Sequence, residues 1–160
     1  MRFYLEEFWG MKIINYQPEL QCFFERFNKA WLEEHFVVEP IDKYVLENPE
    51  EAILRDGGKI IFAEHEGKII GTVALRCLDN TTIELTKMAV DKAARGLGAG
   101  KLLCKTAIDM ARDMHVQTLV LYSQTVLAPA LSIYRSLGFT DVPIEQGIYK
   151  RADVKMKIDF

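Results

Sequence analysis

Residues 90–101 read VDKAARGLGAGK, and three glycines there separate the end of a strand pattern from the start of an amphipathic helix pattern. Backbone N–H groups at a helix start lack partners within the helix and carry the positive end of its dipole, which favours a bound phosphate. Glycine allows the main chain to approach phosphate oxygens closely. Arg95 and Lys101 add positive charge on either side. The stretch is therefore predicted to be an anion-binding loop.

Three phosphate-binding motifs can be compared with this loop. The nucleotide P-loop fails because Lys101 is not followed by Ser or Thr, and because Arg95 stands where the first glycine is required. The dinucleotide fingerprint GxGxxG fails because its third glycine, counted from Gly96 and Gly98, would fall at Lys101. RGLGAG at 95–100 satisfies the acetyltransferase pattern R/Q-x-x-G-x-G/A in full. A glycine-rich turn without a ligand is the remaining alternative.

Strand and helix patterns alternate on both sides of the loop. Upstream they predict a strand at MKIINY (11–16), a helix from Pro18 to about Glu34, a loop over 35–41, a helix from NPEE (48–51) to Gly57-Gly58, and strands at IIFAEH (60–65), IIGTVALRCL (69–78) and TTIELTKMAV (81–90). Downstream they predict a helix over 98–114, a strand at QTLVLYS (117–123), a short helix at APALSIYRSL (128–137) and a strand at VKMKI (154–158). The order βα(α)βββαβαβ predicts an α/β (α+β) fold with a mixed, mostly antiparallel central sheet and helices on both faces.

Composition limits the classes of function. The 160 residues fit a single domain, 1–160, with residues 1–10 as a candidate leader; 49% are hydrophobic, enough for a core. The net charge of -3 gives no overall attraction to nucleic acid or membrane. The basic run Lys150, Arg151, Lys155 and Lys157 is interpreted as one face of a strand. No apolar run is long enough to span a bilayer.

Cysteine use indicates neither a metal site nor a disulfide framework. Cys22, Cys77 and Cys104 are far apart in sequence, with no CxxC pair and no histidine at ligand spacing. Cys22 and Cys104 lie within helical apolar patterns, so both are expected to be buried structural thiols. No metal site is predicted, and a cytoplasmic location is expected.

The residues around the loop resemble the GNAT superfamily of N-acetyltransferases. ELTKMAV (84–90) precedes the loop, and SQTVLAPALSIYRSLGF (123–139) follows the family's "PAI-x-LY-x-x-LGF" pattern through Pro129, Tyr134 and Gly138. NPEE…GGKIIFAEHEGKIIGTVAL (48–75) is similar as well, and the resemblance spans about Met11 to Ile158. Leu127 departs from the family, in which an asparagine that contacts the cofactor is common.

The resemblance implies direct transfer of an acetyl group from acetyl-CoA to a primary amine. It implies that Met88, Ala89 and Val90 pair with the pantetheine arm through their backbone. It also implies that the loop binds the pyrophosphate, and its residues are Arg95, Gly96, Leu97, Gly98, Ala99, Gly100 and Lys101. Tyr134 stands at the position of a tyrosine that protonates the leaving thiolate, which suits a phenol of pKa ~10. Glu84 stands where some members have a base, and its period-two alternation predicts one face shared with Thr86 and Met88.

Alternatives remain at this point. Tyr134 is also compatible with a core tyrosine and Glu84 with an exposed strand acid. Glu33, Glu34 and His35 lie where members recognise acceptors. The expected partners are acetyl-CoA and a small amine or amino-acid-like acceptor. Neither nucleic acid nor a membrane is expected as a partner. A homodimer is one assembly that the chain could form. A non-catalytic acyl-CoA sensor is the main alternative function, and a generic phosphate-binding module is the next.

Overall fold

Strands and helices follow one another in almost the predicted order. The structure, a computed structural model, describes residues 10–145 and 150–160. The strands are β1 (Met11–Asn15), β2 (Lys59–His65), β3 (Lys68–Cys77), β4 (Thr82–Val90), β5 (Thr118–Ser123), β6 (Thr140–Val142) and β7 (Val154–Asp159). The helices are α1 (Gln21–His35), α2 (Pro40–Glu47), α3 (Ala99–Asp113) and α4 (Ala128–Ser136). The candidate leader, apart from Gly10, lies outside the described residues.

The strands form one sheet in the order β1-β2-β3-β4-β5-β7-β6. Every neighbouring pair is antiparallel except β4 and β5, which are parallel. Helix α3 lies between β4 and β5 in the chain and forms the crossover that two parallel strands require. The predicted mixed, mostly antiparallel sheet is therefore confirmed.

The two faces of the sheet carry separate apolar cores. On one face, Leu103 of α3 and Leu131 of α4 pack with buried residues of most strands. On the other face, Phe24 of α1 and Leu46 of α2 pack against residues such as Phe62 of β2. Helices thus cover both faces, as predicted.

One of the two thiols that were expected to be buried is exposed. Cys104 on α3 is fully buried, and burial raises the pKa of its thiol to about 12. Cys22 lies on the exposed side of α1, so the prediction for this residue is wrong. Its position in the first turn leaves it outside the stripe that Phe24 and Phe27 bury.

Helix α2 lies partly in the segment that was predicted to be a loop. Pro40 occupies the first turn, where its fixed φ and missing N–H are tolerated. The Glu39 side chain accepts from the backbone of Asp42, and the Asp42 carboxylate accepts from the Glu39 N–H at 3.0 Å. This capping box uses acids at both positions, so the usual Ser/Thr signal is absent. Asn48 ends α2, and the helix predicted from there is a single π-helical turn, Glu50–Leu54.

The C-terminal basic run is divided between a turn and a strand. Lys155 and Lys157 lie on β7, as expected, and β7 also pairs with the short strand β6, which the sequence did not predict. Lys150 and Arg151 precede β7, so the interpretation of the whole run as a strand face is wrong for these two residues.

Strands β4 and β5 diverge beyond three paired positions. The last pair is Glu84 with Val120. From there β4 continues to Val90 and β5 to Ser123, with no register between them among the described residues. The divergence leaves one edge of β4 available to an extended ligand.

A β-bulge lies in the diverging part of β4. Thr72 pairs with Ala89 and Ala74 with Thr86, so two β4 residues, Lys87 and Met88, lie opposite one residue of β3. Lys87 adopts a left-handed φ of 53°. Met88 packs against the core that contains Ile83 and Leu85. Since these residues alternate with Glu84, the expectation that Met88 shares a face with Glu84 is wrong, and the bulge is the reason.

Candidate active site

A cavity of about 650 Å³ opens between the diverging strands β4 and β5. It is lined by β4, the glycine loop, α4, the second half of α1 and a short segment before β7. The predicted site residues on its wall are Glu84, Met88, Ala89, Val90, Arg95, Gly96, Gly98, Ala99, Gly100, Lys101 and Tyr134. Leu97 is not on the wall, and its side chain is exposed. Residues far apart in sequence are thus brought to one cleft.

The glycine loop forms the start of α3. Gly96 and Gly98 both have a left-handed φ of 91°, which L side chains rarely adopt. Gly98 is the N-cap of α3 and has no side chain to accept from the first turn. The first N–H groups of α3 therefore lie at the cleft without a side-chain cap, at the positive end of the helix dipole. This arrangement suits a phosphate or pyrophosphate.

Arg95 connects the loop to the end of α1. Its two terminal nitrogens donate to the two carboxylate oxygens of Glu34 at 3.1 and 3.0 Å. The hydrogen bond from Arg95 lowers the pKa of the Glu34 carboxyl. Arg95 lies at the cleft as expected, but with an acid already bound to it. Glu34 therefore contacts the glycine loop and is not among the residues that line the cavity.

Tyr134 lies in the last turn of α4, with its ring in the core and its hydroxyl at the cleft. The residue is only 8% exposed, and its ring makes an edge contact with Phe139 at 5.9 Å between centroids. Burial, with a smaller contribution from nearby Cys104, raises the pKa of the phenol well above its usual value. Every fully buried side-chain oxygen in the described part of the chain has a hydrogen-bond partner. The Tyr134 hydroxyl has none among the described residues, so it is not fully buried and is accessible from the cleft. Its raised pKa keeps it protonated at neutral pH.

Glu84 lies on β4 where the strands begin to diverge. It is 2% exposed and accepts two hydrogen bonds from Arg76 on β3, at 3.1 and 3.0 Å. The alternative of an exposed strand acid is therefore wrong. Glu84 is a buried, ion-paired carboxylate at the floor of the cleft.

The α1 residues on the cleft wall are not those named from the sequence. Glu33, Glu34 and His35 are exposed at the end of α1 and are not among the residues that line the cavity. The wall is formed instead by other residues of α1 and the residue that follows it: Asn28, Trp31, Leu32 and Phe36. Trp31 has helical spacing with Phe24 and Phe27, which is the pattern of an ordinary core residue, so the sequence did not mark it as part of a site.

Two cations of the cleft wall were also missed. Lys87 and Arg151 line the cavity and both bind Asp42 of α2. Leu127, the residue that departs from the family pattern, lines the cavity as well. A contact across 109 residues, as between Asp42 and Arg151, leaves no local signal in the sequence.

The described residues contain neither a metal-binding cluster nor a membrane-spanning helix. Residues 10–145 and 150–160 include no group of three or more His, Cys, Asp or Glu that could hold a metal ion. Within the same ranges, no helix combines the length and apolarity needed to cross a bilayer.

Known proteins match the chain in sequence and in fold. Human N-acetyltransferase 8B is 35% identical over 82 residues, which are 48% of this chain and 36% of that protein. N-acetylaspartate synthetase of Xenopus tropicalis is 32% identical over 105 residues, which are 65% of this chain and 36% of that protein. The chain thus spans about a third of the length of the curated relatives it matches.

Solved structures share the fold at low sequence identity. An acetyltransferase of the GNAT family from Staphylococcus aureus has a TM-score of 0.81 at 24% identity, with coverage of 93% of this chain and 98% of that one. A GNAT family acetyltransferase from Elizabethkingia anophelis, with acetyl-CoA bound, has a TM-score of 0.65 at 19% identity, with coverage of 94% and 99%. The model of the acetyltransferase (GNAT) family matches residues 20–139, three quarters of the sequence. With the diverging strands and the glycine-capped helix, this match shows that the chain belongs to the GNAT acetyltransferase family.

Proposed function

We propose that this chain is an acetyl-CoA-dependent N-acetyltransferase that moves the acetyl group directly to a primary amine within a ternary complex. The observation that carries the proposal is the cleft itself. A helix start without a side-chain cap lies at one end, an edge of β4 without a partner strand among the described residues runs along it, and a protonated tyrosine lies within it. Relatives named N-acetyltransferases and a neighbour with acetyl-CoA bound support the same cosubstrate.

The cleft has the shape and chemistry for the proposed cosubstrate. The N–H groups that follow Gly98 would bind the pyrophosphate, and Lys101 in the first turn of α3 adds positive charge. The edge of β4 at residues 88–90 would bind the pantetheine amides as a neighbouring strand does. Acetyl-CoA supplies the acetyl group as a thioester, which a neutral amine attacks with release of the CoA thiol. The residues of the chain have to orient the two reactants and manage two protons.

Two residues of the cleft would carry these protons. Tyr134 keeps its proton at neutral pH, so it is available to donate a hydrogen bond, and then the proton, to the sulfur as negative charge develops there. Glu84 is the acid at the cleft floor and would take the amine proton, directly or through water. Its ion pair with Arg76 would hold the carboxylate in place between turnovers.

The acceptor is proposed to be a small amine or an amino acid. One relative is named for the synthesis of N-acetylaspartate, an acetylated amino acid. We propose in addition that the protein works in the cytoplasm, in keeping with its three free cysteines. A homodimer stays a prediction.

The test is a thiol-release assay. Purified protein is incubated with acetyl-CoA and a panel of amines and amino acids, and the released CoA thiol and the acetylated product are both measured. Equal amounts of thiol and product for at least one amine are expected. If the protein binds acetyl-CoA but releases no CoA thiol with any amine of the panel, the proposed enzymatic activity is refuted and an acyl-CoA sensor is favoured.

A further inference from the structure

Two cations lie on the cleft wall on the side of α2, away from α3 and α4. Lys87 is in the β4 bulge, and Arg151 is just before β7. The glycine loop already accounts for the phosphates of the proposed cosubstrate. Lys87 and Arg151 therefore provide positive charge in the other part of the cleft, where an acceptor has to bind.

A buried carboxylate behind the wall holds both cations in position. Asp42, whose side chain is 3% exposed, accepts from Lys87 at 3.0 Å and from the two terminal nitrogens of Arg151 at 2.7 and 2.9 Å. Glu39 lies 3.5 Å from Arg151. Neither Asp42 nor Glu39 is among the described residues that line the cleft, so the wall presents the cations while the acids lie behind it.

An apolar surface lies next to the cations. Trp31 and Phe36 line the cavity with their rings 5.6 Å apart, and the Arg151 guanidinium lies over the Phe36 ring at 5.7 Å. Glu84 is the one acid among the described residues of the wall. The acceptor part of the cleft thus offers an acid for an amine, cations for an anion and aromatic rings for an apolar group.

We propose that Lys87 and Arg151 bind the carboxylate of the acceptor, which makes the preferred acceptor an amino acid with an apolar side chain. The inference rests on the proposed transferase function. The carboxylate would face the two cations, and the side chain would lie along Trp31 and Phe36. Asp42 is a positioning residue, since it acts on the acceptor only through the cations it holds. Charge-assisted hydrogen bonds of this kind give about a tenfold to hundredfold preference.

The test compares two amines that differ by the carboxylate alone, L-phenylalanine and phenethylamine. The ratio of their kcat/KM values is measured for wild type, for Arg151→Gln and for Lys87→Met. Differences in intrinsic amine reactivity cancel when the ratio of a variant is compared with that of wild type. The neighbouring exposed residue Lys150, which is not on the cleft wall, provides the control variant Lys150→Gln.

Wild type is expected to prefer phenylalanine at least tenfold, and each cleft variant is expected to lose most of that preference while phenethylamine changes less than threefold. Lys150→Gln should keep the wild-type ratio. Calorimetric CoA affinity shows whether each variant is folded, and Lys87→Met alone decides the test if Arg151→Gln is not folded. Transfer to phenethylamine with no preference for phenylalanine overturns the inference but not the proposed function, as does an equal fall for both amines in the variants. Transfer to neither amine also overturns the inference, whereas the proposed function is refuted only if the whole amine panel gives no release of CoA thiol.

Discussion

Gly100 allows the pyrophosphate assignment to be tested without damage to the fold. A Cβ built on Gly100 would meet only Ile133 Cδ1 at 3.9 Å and Val90 Cγ2 at 4.0 Å, which are ordinary contacts between cleft-lining residues. A single methyl group therefore fits. Gly100→Ala should stabilise the protein by about 0.4–1 kcal/mol, because alanine restricts the unfolded chain. Gly100→Val adds two further carbons at the position where the backbone has to approach a bound phosphate.

The expected loss follows from the hydrogen bonds that the valine would obstruct. A hydrogen bond to a charged group contributes about 1.5–3 kcal/mol, which corresponds to about a tenfold to hundredfold weaker CoA affinity for each bond lost. Isothermal titration calorimetry with CoA measures this effect in wild type and both variants, and thermal melting monitors the fold. Gly100→Ala is the matched control and should bind within threefold of wild type, since the family pattern accepts either residue. A folded Gly100→Val protein that binds CoA within twofold of wild type would refute the assignment.

Three further predictions concern the proton carriers and the buried carboxylate. Tyr134→Phe keeps the ring packing and should lower kcat about a hundredfold with unchanged CoA affinity, whereas an unchanged kcat would leave Tyr134 a core residue. Glu84→Gln should reduce kcat/KM most near neutral pH and recover partly above pH 9, where free amine is abundant; parallel pH–rate profiles for wild type and variant would exclude the base role. Burial raises the pKa of Asp42, but the bonds from Arg151 and Lys87 outweigh it and hold the pKa well below its usual range. A depressed folded-state pKa stabilises the protein above the unfolded pKa of ~3.9, and this stabilisation is lost as pH falls below that value. Asp42→Asn should therefore cost about 3 kcal/mol or more of unfolding free energy at pH 7, with the gap to wild type narrowing below pH 4; denaturant unfolding that shows a constant gap would contradict this.

Periodicity and local motifs were sufficient to predict most of the fold and to indicate the residues on the glycine-loop side of the cleft. The glycine loop is a local signal, because its residues and the α3 pattern are contiguous. Tyr134 was found in the same way, through a short motif on α4. Both kinds of signal depend on residues that are neighbours in the sequence.

The missed features depend on contacts that are not local. Helix α2 begins with an acidic capping box in which Glu39 takes the place of Ser or Thr, so the usual start signal was absent. The bulge at Lys87 became visible only from the register with β3, and it reversed the expected face of Met88. Arg151 comes to the cleft through Asp42, 109 residues away. The side of the cleft next to α2 therefore could not be predicted from the sequence.

A crystal structure with bound acetyl-CoA tests the central claim most directly. We expect density for the pyrophosphate at the N–H groups of residues 96–101, with the pantetheine arm along residues 88–90 and the thioester sulfur within hydrogen-bond reach of the Tyr134 hydroxyl. Acetyl-CoA bound elsewhere on the surface, or bound in the cleft with its thioester away from Tyr134, would contradict the account.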